Sequence, residues 1–417
     1  MNEPITLHPT DDELVPGWRV ATVIVGTAIT LPAFLVGAEI LTTLGVSEGA
    51  AAILLGGIIL AFIASAAMFV AVRTRCTTYQ LLDSAFGTSA SRIVSFMVAI
   101  TLLGWFGITA ALFGQSLAVS IQEVLGLALP QWLCTVAGCG LMTATTLHGF
   151  AALEKLSKLA VPVMLFILLY AVLKVVDGAS LPAIMQAGPV AGASPMGFGA
   201  AVSVIVGSFM VGVAILPDIA RFIRAPRQVA GASFGSFGSF FPLVLVVAGL
   251  PGVLGGEKDL VLAMTATGLG LPALIMMVLA SWTTNVSNLY SSSLGFAQAF
   301  PSLGRRTIVI GAGLLGLMVS LAGIRDYFVD FLIFLGVLIP PIAGVYIVHV
   351  LARAEGTRRA FSPLAFLAWA MGAGAAFLTS SGVFTLTGIP ALDSLGVATV
   401  VYWLAIKGRV SMLRLQP

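Results

Sequence analysis

Gly26-Thr27-Ala28-Ile29-Thr30-Leu31-Pro32-Ala33-Phe34-Leu35-Val36-Gly37 is apolar enough for lipid, yet it carries a glycine and a proline where a membrane helix would run unbroken. The apolar run around it extends from residue 18 to 44, more than the about 20 residues that cross the hydrocarbon core. Proline inside a helix deletes a backbone hydrogen bond and crowds the preceding turn. The sequence therefore predicts a spanning helix interrupted partway. A second segment of this kind, Gly207-Ser208-Phe209-Met210-Val211-Gly212 with Pro217 beyond it, lies in the run 197–222.

The same ruler, carried outward, finds twelve apolar runs near 18–44, 49–72, 93–124, 131–150, 156–176, 197–222, 230–254, 260–299, 307–324, 328–352, 362–382 and 390–407. The interrupted runs are the first and the sixth, equivalent places in two halves of five helices. Paired interruptions of this sort mark transporters built from inverted repeats, with the binding site at the breaks. Unwinding a turn in lipid frees carbonyls that are costly if left unsatisfied. A cation or ligand N–H groups would satisfy them, and the facing helix ends add a favourable dipole. The expected protein is all-α and membrane-embedded: a cytoplasmic tail (1–17), a ten-helix inverted-repeat core (18–352), and two further helices with a cytoplasmic C-terminus (353–417).

Composition points the same way. The 417 residues are 59% hydrophobic and 9% charged, against roughly 25% charged in soluble domains, and the mean hydropathy is +1.08. A net charge of +3 is too small and dispersed for nucleic-acid binding. With the N-terminus inside, Lys174, Lys258 and Arg325 fall outside, and the other seventeen Lys and Arg fall on the cytoplasmic side. That asymmetry predicts both termini cytoplasmic, in a cell (inner) membrane. Met1–Pro16 is acidic and lacks the basic start of a signal peptide, so the first run is expected to remain as a span. Cys76, Cys134 and Cys139, and the isolated His8, His148 and His349, show no metal-ligand spacing, which argues against an enzyme. No repeated pore residue suggests a channel. The expected partners are a small-molecule substrate and the lipid bilayer, and the expected state is a monomer. The external stretch 177–196, with Pro182, Pro189 and Pro195, has room for a short interfacial helix. The small residues Ser233, Gly235, Ser236, Gly238 and Ser239 predict close helix packing.

The eighth run reads Ala280-Ser281-Trp282-Thr283-Thr284-Asn285-Val286-Ser287-Asn288. Two adjacent hydroxyls cannot share one lipid-facing side, so one or both turn inward or bond back to a carbonyl four residues earlier. Amides in hydrocarbon need partners as well. Where no carboxylate is at hand, neutral oxygens of this kind suit sodium.

The stretches Gly104-Trp105-Phe106-Gly107, Val206-Gly207-Ser208-Phe209, Asp218-Ile219-Ala220-Arg221-Phe222, Trp282-Thr283-Thr284-Asn285 and Ile339-Pro340-Pro341 resemble the nucleobase–cation symporter family 1, bacterial cytosine permeases above all. The resemblance implies a fold like that of sodium-coupled amino-acid transporters, with helices 1–5 and 6–10 as inverted repeats. It implies a sodium site made by the carbonyls of Gly26, Ile29 and Ala280 and the hydroxyls of Thr283 and Thr284. It further implies a base held between Trp105 and Phe209, with Ser208 and Asn285 bonding its edge. Stacking on aromatic faces suits a planar base, and an amide offers a donor and an acceptor side by side. The implied function is sodium-coupled import of a nucleobase or related planar heterocycle by alternating access. The alternatives are proton coupling, or another small solute such as a hydroxymethylpyrimidine, a hydantoin, allantoin or an amino acid.

The chain departs from the cytosine permeases at Leu102, Val211 and Ala280, where they carry Gln, Ser and Asn, and at Val286-Ser287, where they carry Asp-Asn. The resemblance thus implies a less polar pocket, with Thr30, Thr109 and Gln115 as nearby polar residues. Three charged positions are candidate gate residues: Glu39 beyond the first break, and Asp218 and Arg221 at the inner end of the sixth run. Glu154, Lys155 and Lys158 are expected at a solvated cytoplasmic end.

Overall fold

The computed structural model describes residues 8–175, 180–192, 196–255, 264, 268–324, 334–352 and 360–414. Among them the backbone is helical apart from short connections and one isolated β-bridge between Val15 and Ile223. The first half contains α1 (Gly17–Ala28), α2 (Leu31–Leu44), α3 (Val46–Thr74), α4 (Thr78–Phe86), α5 (Thr88–Leu125), α6 (Gln131–Thr146), α7 (Phe150–Val175) and the short α8 (Leu181–Met185). The second half contains α9 (Phe198–Ala214), α10 (Pro217–Ala220), α11 (Val229–Gly235), α12 (Phe241–Gly255), α13 (Gly270–Ala299), α14 (Arg305–Leu321) and α15 (Pro340–Leu351). The chain closes with α16 (Pro363–Ser380) and α17 (Pro390–Arg414).

Each of the twelve expected runs contains a helix. Among the described residues eight helical segments are long and apolar enough to cross a bilayer, Pro226–Leu254 and Phe334–Leu351 each counting as one, and the bent pair α1–α2 makes a ninth. The remaining three, α6, α9 and α14, have 16, 17 and 17 residues, or about 24–26 Å at 1.5 Å per residue. The expected anchors Lys258, Arg325, Arg353, Arg358 and Arg359 lie outside the described residues, as do the side chains of Arg409 and Arg414. Helix α8 lies within the stretch 177–196, which has room for a short helix.

The first break falls at Ile29-Thr30, between the glycine and the proline. Helix α1 closes with the Ile29 N–H on the Val25 carbonyl at 3.1 Å. Thr30 turns to extended geometry (φ −140°, ψ 155°) and caps α2 by accepting the Ala33 N–H at 3.2 Å. Pro32 therefore sits in the first turn of α2, where a missing N–H costs nothing. The two helices meet at 73°. In the sixth run the expected interruption at Gly207–Gly212 is displaced: α9 continues through both glycines to Ala214, and the chain breaks at Ile215-Leu216 before Pro217 starts α10. Proline, with its ring and missing donor, sets that break; glycine only leaves room.

Packing holds the broken first span in place. Helix α2 crosses α12 so closely that a Cβ on Gly37 would lie 2.2 Å from the Leu245 carbonyl oxygen, and one on Gly249 would lie 2.6 Å from that of Gly37. The small face of the seventh run packs as expected, with Ser233 Oγ donating to the Ala61 carbonyl of α3 at 2.7 Å. The chain there makes one π turn at Ser236–Phe240. Large apolar side chains cover the outside, among them Phe62, Ile93, Phe166 and Phe377. Such a surface is stable against lipid and would not be against water.

Candidate functional site

Helix α13 runs past the end of α1 and brings the hydroxyls of Thr283 and Thr284 onto its last carbonyls. Thr283 Oγ1 lies 2.7 Å from the Gly26 carbonyl oxygen and 3.0 Å from those of Leu279 and Ala280. Thr284 Oγ1 donates to the Thr27 carbonyl at 3.2 Å. The one hydroxyl proton is offered to three carbonyls; those of Leu279 and Ala280 lie inside α13, while that of Gly26, at the open end of α1, has lone pairs to spare. A hard cation takes such oxygens, so the donor set fits the expected ion. Gly26, Ala280 and Thr283 come together directly, Thr284 is adjacent, and Ile29 is buried at the break itself. No group of three or more His, Cys, Asp or Glu that would suit a heavier metal occurs among the described residues.

Ser157 on α7 belongs with this junction, although nothing in the sequence singled it out. Its hydroxyl is fully buried without a hydrogen-bond partner among the described residues, and a Cβ on Gly26 would lie 3.3 Å from it. A lone serine in an apolar helix carries no pattern, so only the crossing of α7 with α1 reveals it.

Beside the junction lies a cavity of about 460 Å³ between α2, α5, α9 and α13. Trp105, Ser208, Phe209, Thr284 and Glu39 line it, as do Thr30 and Thr109. Phe209 rests against Phe241 with ring centroids 4.1 Å apart, and Ser208 Oγ donates back to the Val204 carbonyl at 2.6 Å. Leu102 and Val211 contribute apolar wall. Asn285 is placed differently from expectation. It is fully buried between α13, α5 and α6, with Nδ2 donating to the Phe106 carbonyl at 3.2 Å and to Met142 Sδ at 3.3 Å. Its Oδ1 has no partner among the described residues. Asn288, about one turn further along α13, lines the cavity.

The end around Asp218–Arg224, expected to face inward, is tightly tied. Asp218 is fully buried and accepts the Thr78 N–H at 2.9 Å. Arg221 donates to Tyr290 Oη at 3.2 Å and lies over the ring of Phe222, which stacks on Phe150 at 4.0 Å. Arg75 donates to the carbonyls of Arg221, Ile223 and Arg224 at 2.6, 2.5 and 3.0 Å. The tail joins in: the Val15 N–H reaches the Phe222 carbonyl and the Arg224 N–H reaches the Val15 carbonyl, each at 2.8 Å. Glu154 corrects an expectation, since it is buried rather than solvated and pairs with Arg19 and with Lys158, the latter at 2.9 Å.

Two broken helices meeting at a central cavity, with an oxygen-rich junction beside it, define a secondary membrane transporter. The chain belongs to the nucleobase–cation symporter family 1, whose model, described as permease for cytosine/purines, uracil, thiamine and allantoin, matches residues 16–399. It is 32% identical over 303 residues to the cytosine permease of Escherichia coli K12, covering 72% of this chain and 69% of that one. It is 27% identical over 349 residues to the hydantoin permease of Microbacterium maritypicum, covering 74% and 70%. The solved structure of Mhp1, a nucleobase-cation-symport-1 family transporter, in a closed conformation with bromovinylhydantoin bound, superposes with a TM-score of 0.85 at 21% identity over 98% of this chain and 96% of that one. The protein is thus a multi-pass membrane permease for a small molecule, not an enzyme, and its cation-symporter fold points to a coupling cation.

Proposed function

We propose that the protein imports a nucleobase or related planar heterocycle with sodium by alternating access. The observation that carries this reading is the crowding of Gly26, Leu279 and Ala280 carbonyls around the single hydroxyl of Thr283, beside a cavity walled by Trp105 and Phe209. In this reading sodium binds among the carbonyls of Gly26, Ile29 and Ala280 and the hydroxyls of Thr283 and Thr284. The heterocycle stacks between Trp105 and Phe209. Ser208 and Asn288 bond its edge, while Asn285 bonds it only by rotating its amide away from Phe106 and otherwise fixes α13 against α5. Leu102 and Val211 favour a base with fewer polar groups than cytosine, since each buried polar group left unpaired loses about 1–3 kcal/mol.

Sodium binding would hold α1 against α13, and substrate binding at the adjoining cavity would then permit the inner seal to part. That seal consists of Asp218, Arg221 and the chain ends that Arg75 ties together. One charge moving through 100 mV releases about 2.3 kcal/mol, enough for roughly fifty-fold accumulation of a neutral substrate. Residues 18–352 form the transport core, residues from 353 onward brace it through α16 and α17, and the protein works as a monomer in the inner membrane with both termini cytoplasmic. Uptake of a labelled nucleobase panel into proteoliposomes tests the reading. Accumulation that requires an inward sodium gradient supports it. Equal accumulation in potassium with a proton gradient replaces sodium by the proton.

A further inference from the structure

Buried hydroxyls in this fold bond back to the preceding turn, as Thr42, Thr146 and Ser236 do, or reach a neighbouring helix, as Thr283 does. Ser157 Oγ does neither: it is fully buried and has no hydrogen-bond partner among the described residues. An alanine would avoid the cost of that unpaired group. Packing fixes where the hydroxyl stands. Ala160 and Val161, one turn further along α7, share an apolar cluster with Val25, Ile29 and Ala280, the residues around the break. A Cβ on Gly26 would lie 3.1 Å from the Val161 side chain and 3.3 Å from Ser157 Oγ. The unpaired oxygen therefore adjoins the α1–α13 junction, from the side of α7.

Glu154 precedes Ser157 by three residues, which makes the two side chains neighbours on one face of α7. Its carboxylate is buried, and its ion pairs with Arg19 and Lys158 both fall on the same oxygen, Oε1. Beyond it lies a second cavity, of about 470 Å³, which Glu154 lines together with Arg19, Lys155, Lys158 and Arg305. Ser157 and Glu154, about 4.5 Å apart along the helix axis, thus lead from the junction to this cavity. A hydroxyl followed by a carboxylate is a sequence of hard oxygen ligands. The surrounding Lys and Arg disfavour a resident cation there, so the pair suits passage rather than storage. Arg19 and Gly26 lie on the same helix, α1. A displacement of α1 away from α7 therefore withdraws a carbonyl from the junction and frees Glu154 Oε1 in one movement.

We infer that Ser157 and Glu154 form a second, transient subsite for a monovalent cation, through which the ion leaves the α1–α13 junction for the cavity at the Arg19 end. The inference rests on the reading of that junction as a cation site. Its test compares wild type, Ser157→Ala and Glu154→Gln in proteoliposomes given labelled cytosine, uracil, hypoxanthine or hydantoin. Net uptake on a sodium gradient requires release of the ion in every cycle, whereas exchange with saturating sodium on both sides does not. Each variant is expected to lower the ratio of net uptake to exchange about tenfold, the scale of one charge-assisted hydrogen bond. A readout independent of transport uses Ser157→Cys in the purified protein. A thiol beside the carboxylate should bind Cd²⁺, seen as a rise in melting temperature that adding Glu154→Gln abolishes. Ser157→Ala removes only an unbonded hydroxyl and is expected to fold, so a wild-type ratio in that variant overturns the inference. Net uptake and exchange that fall equally overturn it too, since the residues then serve binding or the fold, as does a Ser157→Cys protein indifferent to Cd²⁺. A wild type that accumulates none of the four probes, or accumulates them equally without sodium, removes the underlying reading and this inference with it.

Discussion

Replacing Thr283 by valine keeps the shape of the side chain and removes only its hydroxyl. That oxygen is fully buried and lies 2.7 Å from the Gly26 carbonyl and 3.0 Å from two carbonyls of its own helix. Two effects follow, and they separate experimentally. The Gly26 carbonyl, near the end of α1, loses a donor, which lowers stability by about 1–3 kcal/mol. The cation loses one ligand; taking a charge-assisted hydrogen bond as the scale, that is about 1.5–3 kcal/mol, or a 10- to 150-fold rise in half-saturating sodium. The assay is ligand-induced stabilisation of the purified protein, titrated with sodium at constant ionic strength made up with potassium. Melting without ligand reports the first effect and the sodium midpoint the second. Thr283→Ser restores the hydroxyl and is expected to stay within about threefold of wild type. A Thr283→Val protein that folds and responds to sodium like the wild type would refute the assignment of this hydroxyl to the ion.

Trp105→Ala should weaken heterocycle binding by about 1–3 kcal/mol, the worth of one stacked base, seen as a 5- to 150-fold higher midpoint in the same titration. Arg75→Ala removes the donor shared by the carbonyls of Arg221, Ile223 and Arg224 and should loosen the inner seal, read as faster labelling of the half-buried Cys76 thiol by a membrane-impermeant reagent applied from the inner side. Gly37→Val forces α2 off α12, where even a Cβ meets the Leu245 carbonyl oxygen at 2.2 Å. A loss of about 1–3 kcal/mol or more should appear as a lower melting temperature, together with reduced uptake.

Lipid makes the fold unusually readable, because every spanning segment must be an uninterrupted apolar run with its backbone bonded internally. Hence all twelve runs contain helices, and the first and sixth carry the breaks that Pro32 and Pro217 mark. The exact turns were not readable. Pro32 and Pro217 bracket them, but the break at Ile29-Thr30 depends on the cap that Thr30 makes with Ala33. Helix α9 continues through Gly207 and Gly212 because glycine, unlike proline, keeps its backbone donor and leaves the hydrogen-bond ladder whole. The paired hydroxyls of Thr283 and Thr284 were legible from composition and spacing, since adjacent polar groups in hydrocarbon need partners. Which amide faces the cavity was not. Asn285 and Asn288 lie three residues apart on nearly the same face, and the rotation of α13 that separates them is set by contacts with Phe106 and Met142 on other helices. Glu154 and Ser157 were missed for the same reason: their burial comes from the crossing of α7 with α1, which no local pattern encodes.

The most direct test of sodium-coupled heterocycle binding is a thermal-stability matrix of the purified protein. Nucleobases, pyrimidine derivatives, hydantoins and amino acids would each be measured in sodium and in potassium. The account predicts that at least one planar heterocycle raises the melting temperature in sodium and not in potassium. Stabilisation by amino acids alone, or by a heterocycle equally in both salts, would contradict it.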